Sequence, residues 1–282
     1  MTRGYTAHAA VVAEPDGTGG TRITRLRSDG PLALRATRGG HPATVYLVGA
    51  AAGPLGGDDL TLHLTVAPGA RLAVRSAATT LVLPGDGESR FTVLAGVGAG
   101  GWLDFAPEPV VAVAGCHHGS FADIELAAGA ALRWRDELVL GRHRERPGRY
   151  AARCDVTLGG AGGRRPLLRH ELRLDGAGTY ASRAVLGGAR AAGAVVLAGP
   201  GLTAHPYAGA ELAVLPLAGP GVLVSATAAD AAALRRLLDH GTELAGGPGG
   251  GDAGRGEPAR NHPPGYGIGR LAASGPTAHA AS

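Results

Sequence analysis

Turn-and-strand units recur along the middle of the chain at a nearly constant spacing, and this repeat constrains the fold more than any other feature. The stretch 53–75 reads GPLGGDDLTLHLTVAPGARLAVR and contains two runs of alternating apolar and polar residues separated by a Pro-Gly turn. Such alternation is typical of strands with one buried face. Echoes follow at 97–105 and 126–134, and the turn glycines are spaced by 31 and 29 residues: Gly69, Gly100 and Gly129. This period predicts stacked, solenoid-like β units.

Further strand patterns follow at about ten-residue spacing up to Leu174, which is typical of an all-β chain. We therefore predict an all-β dominated fold, a β-helix or solenoid-like stack of antiparallel and parallel strands with one or two short C-terminal helices. The predicted organisation is an irregular N-terminal segment at 1–20 with a candidate strand at 7–12, a solenoid domain at 21–245, and a disordered tail at 246–282. Shorter β elements are expected after 175, including 180–186. The one clear helical pattern is Ala228 to Leu244.

Composition excludes several classes of protein. Glycine (49) and proline (19) make up about a quarter of the 282 residues, which we interpret as turn-rich β structure, and all 27 basic residues are arginine. Without lysine the chain has no phosphate-loop lysine and no Schiff base. Aromatic residues are 4%, which argues against nucleic-acid binding, and no apolar run is long enough to span a membrane. Two cysteines and the absence of a signal-peptide pattern favour a reducing, cytoplasmic location.

Two motifs suggest ligands at first sight. The run 96–101, GVGAGG, matches G-x-G-x-x-G, but a helix must follow in a dinucleotide site, and Pro107 and Pro109 forbid one. The run 116–118, Cys-His-His, resembles half of a metal site. Adjacent strand residues point to opposite faces, so Cys116 and His118 could share a metal while His117 could not. Because no second ligand pair stands at a defined spacing, we favour a loop with surface histidines.

Carboxylates are the more informative polar residues. Asp58 and Asp59 precede the first strong strand, and Glu108 stands between two prolines. Asp136 and Glu137 interrupt an apolar run, so that one of them points inward whichever face is buried. A buried acid is costly unless it is paired or binds a cation. Convergence of two or three such acids would indicate a path for cations, although an ordinary solvated or arginine-paired acid is the simpler interpretation of each.

Three blocks together resemble the UreD family of urease accessory proteins, also called UreH. They are SDGPLALR (28–35), VGAAAGPLGGDDLTLHLTVAPGARLAVRSAATTLVLPG (48–85) and WRDELVLGRHRERPGRYAARCDVT (134–157). The resemblance covers roughly residues 20 to 245, and the order of the motifs G-P-L-G-G-D, P-G-A-x-L-x-V-R-S and E-L-V-L-G-R makes it specific.

The resemblance implies a protein that is not an enzyme but a metallochaperone scaffold. Members of the family have a β-helical fold, dock on apo-urease, and recruit UreF, which brings the GTPase UreG. The complex delivers Ni²⁺ to the dinuclear site and supports carbamylation of the urease lysine. Nickel is the ion in transit, with no tightly bound cofactor, and an internal tunnel is its expected route.

The polar residues associated with the tunnel map onto this chain by motif. The G-G-D acid is Asp58, the E-L-V-L-G-R acid is Glu137, and the acid of the later H-E-L strand is Glu171; these three are the expected transient metal ligands. The polar residue after the R-S strand lies among Ser76, Thr79 and Thr80, of which we select Ser76 and Thr80. A conduit must release its ion, so sparse carboxylates suit it better than a closed cage of cysteine and histidine.

The competing hypothesis is a β-solenoid enzyme or small-molecule-binding module. Such a protein needs a nucleophile and a base that converge in a pocket. Five histidines are loose candidates for the base, and no spacing unites them: His41, His63, His118, His143 and His170. The late helix, Ala228 to Leu244, is our candidate for part of the UreF contact, although an amphipathic helix more often packs on its own core.

Overall fold

The computed structural model describes residues 4–160 and 163–246, and these residues form two packed β-sheets with two helices. The strands up to the middle of the chain are β1 Thr6–Pro15, β2 Thr21–Arg27, β3 Leu32–Ala36, β4 Ala43–Gly49, β5 Asp59–Val66, β6 Arg71–Ser76, β7 Thr80–Val82, β8 Ser89–Val97, β9 Trp102–Phe105 and β10 Val110–Ala112. The remaining elements are β11 His117–Leu126, β12 Ala131–Leu140, β13 Arg149–Leu158, β14 Arg165–Leu174, α1 Ala177–Ala181, β15 Ala191–Ala198, β16 Tyr207–Ala208, β17 Leu212–Pro216, β18 Gly221–Ala228 and α2 Ala231–Leu244.

Between β4 and β13 the chain passes back and forth between the two sheets, which is the architecture of a β-solenoid. Sheet A has the strand order β14-β13-β11-β8-β5-β1-β2, and its strands from β1 to β13 pair in parallel. Sheet B has the order β16-β17-β18-β15-β12-β9-β6-β4-β3, and β4, β6, β9 and β12 pair in parallel. Antiparallel strands flank the parallel ones in both sheets. The prediction of a solenoid-like all-β fold is confirmed.

The sequence repeat corresponds to the turns of this solenoid. The three Pro/Ala-Gly turns stack on each other, since the Gly69 amide donates to the Ala99 carbonyl at 3.0 Å and the Ala127 amide donates to the Val97 carbonyl at 2.9 Å. Behind the turns, leucines from successive turns lie in register and are buried: Leu72, Leu103 and Leu132. Two residues further along these strands, the rings of Phe105 and Trp134 stack at 4.0 Å. The run 96–101 is thus one of the stacked turns, as its repeat predicts, and β9 follows it.

The glycines of the G-P-L-G-G-D motif serve close packing of backbone on backbone. A Cβ built on Gly56 would lie 2.5 Å from the Gly85 carbonyl carbon, and one built on Gly85 would lie 2.7 Å from the Gly56 nitrogen. Gly57 has a φ of +92°, a left-handed conformation that a residue with a side chain rarely adopts. The loop before β5 therefore fits against the loop before β8 only because both carry glycine.

The candidate strand at 7–12 is confirmed as β1, Thr6–Pro15, which is longer than predicted because its alternate residues fill the core between the sheets. The segment 1–20 is therefore less irregular than predicted. Two other predictions are wrong. The late helix begins at Ala231 rather than Ala228, because Asp230 caps it by accepting a hydrogen bond from the Ala233 amide at 2.7 Å. The predicted β element at 180–186 is instead the end of α1 and a turn. The predicted disordered tail, 246–282, lies outside the described residues except for Gly246.

Helix α2 covers part of the outer face of sheet B. Leu234, Leu238 and Gly241 are buried against an apolar cluster that includes Val195 and Val224. Neither helix in the described part of the chain has the length and apolar character needed to cross a membrane.

Candidate functional site

Sheet B is interrupted beside β12, and we call this interruption the gap. On one edge of β12, residues 131–134 pair with β9 and residues 138–140 pair with β10. Residues 135–137 between them have no paired strand on that edge. The segment opposite is 106–109, in which Pro107 and Pro109 lack the N–H groups that a ladder needs. Residues 76–79, between β6 and β7, complete the rim. The gap therefore separates two parallel ladders in one sheet.

A cavity of about 470 Å³ reaches this gap from the space between the sheets. Its walls include Asp136 and Glu137, which are neighbours on β12 and point to opposite faces of sheet B. The cavity therefore reaches β12 at the gap in sheet B. Most of its lining is apolar, and its polar residues are concentrated at the gap and deep between the sheets.

The outer end of the gap is a network of acids and arginines, which we call the mouth. Glu137 is buried and contacts Arg135, and its Oε1 also lies 3.5 Å from Arg235 Nε on α2. Arg235 binds Glu108 at 3.0 Å, and Arg135 binds Asp239 at 2.6 Å. The second carboxylate oxygen of Glu137, Oε2, is buried and has no hydrogen-bond partner among the described residues. The mouth therefore keeps one free acceptor on a buried carboxylate.

The inner end of the cavity is a second polar group, which we call the inner chamber: His118, Ser120, Trp134, Asp136 and Tyr150. Trp134 Nε1 donates to Asp136 Oδ2 at 2.7 Å, and burial raises the pKa of Asp136 to about 6 despite this bond. Burial lowers the pKa of His118 to about 4, with a smaller contribution from His117, so the imidazole is neutral at pH 7. Burial also raises the pKa of Tyr150, and the charge of Asp136 adds to that shift.

The predicted polar residues Ser76, Thr79 and Thr80 all line the cavity at the rim of the gap. Ser76 Oγ donates to the Ala78 carbonyl at 2.9 Å and accepts a hydrogen bond from the Glu108 amide at 2.8 Å. The structure thus brings Ser76 and Thr80 together with Glu137 around one opening. Whether these residues contact an ion stays a prediction.

The other two predicted acids do not line this cavity. Asp58 is buried, but its Oδ1 accepts a hydrogen bond from the Tyr5 amide at 2.8 Å and its Oδ2 accepts one from the Leu55 amide at 2.9 Å. Its position fits an anchor of the glycine-rich loop. Glu171 is exposed on β14 of sheet A, where it binds Arg173 at 3.2 Å. The expected convergence of Asp58, Glu137 and Glu171 is therefore wrong. Side chains alternate between the two faces of β14, and that of Glu171 lies on the face directed away from the space between the sheets.

The run 116–118 is not the surface loop that we favoured. β11 begins at His117, and only His117 is exposed, whereas Cys116 and His118 are buried. Cys116 packs in an apolar cluster, and burial raises the pKa of its thiol to about 11. His118 Nδ1 lies 2.8 Å from Ser89 Oγ, but Ser89 is fully buried and does not line the cavity, so it is unsuited to act as a nucleophile.

Sequence reasoning identified Glu137 by motif but missed the inner chamber. The signal for Asp136 was present, since two adjacent acids on a strand between two sheets must face both ways. The signal for His118 was the period of two that it shares with Ser120 and Ala122 along β11. The sequence did not predict that β13 places Tyr150 beside His118, with their ring centroids 5.8 Å apart.

Within residues 4–160 and 163–246, no three histidine, cysteine, aspartate or glutamate side chains form a group that could hold a metal ion. Both cysteines in that part of the chain are free and buried. The molecule is thus defined as a β-solenoid with an internal cavity that reaches a gap in one sheet and is lined by sparse polar residues.

Comparison with known proteins identifies the family. The model of the UreD urease accessory protein family matches residues 5–251, and the chain belongs to this family. A urease accessory protein UreD of Parafrankia sp. (strain EAN1pec) is 46% identical over 256 residues, which cover 83% of this chain and 86% of the relative. That of Streptomyces avermitilis is 46% identical over 246 residues, covering 84% and 96%. The UreD 1 of Saccharopolyspora erythraea is 38% identical over 239 residues, covering 82% and 92%.

Proposed function

We propose that this protein is a nickel-insertion scaffold and conduit in urease maturation. In this proposal it binds apo-urease, recruits UreF and through it the GTPase UreG, and passes Ni²⁺ through its own interior in the cytoplasm. It performs no catalysis and holds no resident cofactor, and nickel is its cargo. The family assignment supports the role in urease maturation, and the cavity between the sheets that reaches the gap in sheet B is the observation that supports passage of an ion.

The mouth has the chemistry that a transient cation path requires. Ni²⁺ binds nitrogen and sulfur ligands tightly, so a closed cage of histidine and cysteine would retain it. Glu137 offers one free buried carboxylate oxygen instead, and Ser76 and Thr80 offer neutral oxygens at the same rim. Arg135 and Arg235 compensate the charge of Glu137 while no ion is present. Weak, oxygen-rich coordination of this kind allows the ion to be released.

The partner surfaces are proposed on more general grounds. The apolar face of α2 packs on its own sheet, which agrees with the simpler interpretation of an amphipathic helix. Arg235 and Asp239 lie on one flank of the helix and border the mouth, and Leu244 is exposed at 45% accessibility on the other flank. We propose that the exposed part of this helix contributes to the UreF contact, so that partner binding and the mouth share one helix.

The conduit is tested by nickel loading of urease in cells in which nickel is limiting. Glu137→Gln removes the charge at the mouth, and we expect it to lower the nickel content per urease several-fold. Glu171→Gln is the matched control, because Glu171 is exposed and lies outside the cavity. Full loading by Glu137→Gln would contradict the conduit.

A second variant keeps the test decisive, because loss of the Glu137 charge removes one carboxylate partner from each of two arginines and could unfold the protein. Thr79→Trp places an indole at the rim without touching the ion pairs, since Thr79 is exposed and lines the cavity. We expect a folded protein that still co-purifies with UreF and urease but loads less nickel. Co-purification with neither partner would contradict the scaffold role.

The alternative function, binding of a small molecule, is favoured by one observation. A largely apolar cavity of about 470 Å³ with a few polar groups matches an ordinary ligand pocket. Of the five candidate histidines only His118 lines it. Native mass spectrometry of the purified chain separates the two functions: a retained organic molecule of constant mass supports the alternative, and an unliganded chain supports the conduit.

A further inference from the structure

Asp136 is half-buried on the cavity wall, and it differs from the buried carboxylates in the described part of the chain because neither an arginine nor a pair of backbone amides compensates its charge. Asp104 binds Arg75 and Arg133, and Glu137 binds Arg135 and Arg235. Asp58 accepts two backbone amides. The single partner of Asp136 is the neutral indole of Trp134, which engages Oδ2 and leaves Oδ1 free. A carboxylate in such a place is costly to ionise unless a cation joins it.

His118 stands in the same chamber as a neutral, oriented imidazole. Its ring is held by Ser89, whose Oγ lies 2.8 Å from Nδ1 and 3.4 Å from the His117 carbonyl. This chain of hydrogen bonds allows the tautomer in which Nδ1–H donates to Ser89 and the Ser89 hydroxyl donates to the carbonyl. Nε2 then keeps its lone pair. A histidine that is fixed in this way through one ring nitrogen is the usual arrangement of a metal ligand.

The two groups come from opposite sheets and meet around one residue. His118 and Tyr150 are paired residues on β11 and β13, with ring centroids 5.8 Å apart. Asp136, on β12 of the opposite sheet, lines the same cavity. The charge of Asp136 contributes to the raised pKa of Tyr150, and Ser120 lines the same part of the cavity. An imidazole, a carboxylate and two hydroxyl groups therefore surround the same end of the cavity.

We propose that the inner chamber binds one divalent first-row transition-metal ion between His118 Nε2 and the carboxylate of Asp136, with hydroxyl groups and water in the remaining positions. A mixed nitrogen and oxygen set suits nickel, cobalt or zinc rather than magnesium or calcium. Only two strong protein ligands are present, so the site is a weak one that releases its ion. The identity of the ion as nickel rests on the proposed function, whereas the site itself rests on the chamber.

The test uses the purified full chain and Co²⁺ as the probe, followed by its visible absorption and by calorimetric titration. We expect one Co²⁺ with mixed nitrogen and oxygen ligation. His118→Gln and Asp136→Asn should weaken binding at least about tenfold. Ser89→Ala, which only frees the ring, should weaken it by about 10–100-fold, as for other outer-shell partners.

The control is His117→Gln, which removes the exposed histidine on the opposite face of β11 and should leave Co²⁺ affinity unchanged. Asp136→Asn preserves the shape and the Trp134 bond, so it remains informative if His118→Gln fails to fold. Wild-type affinity in Asp136→Asn would overturn the inference. That result would leave the conduit standing, because the conduit is judged by nickel loading of urease in the Glu137 and Thr79 variants.

Discussion

Asp136→Asn should stabilise the protein at neutral pH, because the carboxylate it replaces is charged there without a countercharge. The amide is isosteric and its oxygen can still accept the hydrogen bond from Trp134 Nε1. At pH 7 the folded wild type must hold an ionised carboxylate in a largely apolar cavity. The variant removes that cost and leaves the packing intact.

The size of the effect follows from the pKa of this group. Burial raises it from 3.8 to about 6, and each unit corresponds to about 1.4 kcal/mol. The folded state therefore binds the proton more tightly than the unfolded state. This preference favours folding fully below pH 3.8 and is lost as the pH rises through 6. The upper limit of the gain in Asp136→Asn at pH 7.5 is about 3 kcal/mol, and water in the cavity reduces it.

Urea denaturation at pH 7.5 and pH 4 measures this prediction directly. We expect a higher midpoint than wild type at pH 7.5 and a difference that shrinks toward pH 4. Asp155→Asn is a control of opposite sign, because hydrogen bonding by Arg153 lowers the pKa of Asp155 and its loss should destabilise the protein slightly at pH 7.5. An Asp136→Asn variant that is less stable than wild type at pH 7.5 would refute the argument that this acid lacks a cation.

Two further predictions concern the loop before β5. Asp58→Ala breaks two charge-assisted hydrogen bonds to backbone amides and should cost about 3 kcal/mol, whereas Asp59→Ala, at an exposed position, should cost less than about 0.5 kcal/mol in the same denaturation assay. Gly56→Ala forces a methyl group to within 2.5 Å of the backbone of Gly85 and should lower stability by about 1–3 kcal/mol. The control is Gly96→Ala, because nothing lies within 4 Å of a Cβ built on Gly96. Equal losses of stability in the two variants would contradict the close approach of the Gly56 and Gly85 backbones.

The sequence predicted the repeating part of the fold well and the site only in part. Alternation and the evenly spaced turn glycines indicated the solenoid because each turn repeats the same local chemistry. The same pattern placed Glu137 on a strand and showed that Asp136 must face the other way. The predicted ends of an element were wrong by several residues where a helix cap sets the end, as at Asp230, or where burial of side chains sets it, as in β1.

What could not be predicted are the features that depend on contacts distant along the chain. The gap in sheet B exists because segments near 78, 107 and 136 lie side by side, and two prolines far from β12 in sequence leave it unpaired. Likewise Asp58 resembles a tunnel acid by motif, yet the Tyr5 amide, 53 residues away, shares its carboxylate. Glu171 sits in a matching motif on an outer strand, where the fold leaves it in solvent.

The placement of chamber and mouth on consecutive residues of β12 restricts how this chain can change over evolution. Inserting or deleting a single residue upstream in that strand would exchange the two acids, expose the indole of Trp134 to helix α2 and turn an arginine into the core. Length variation there can be tolerated only in steps of two. The acid of the inner chamber and the acid of the mouth, which point to opposite faces of sheet B, are thus joined by a single peptide bond.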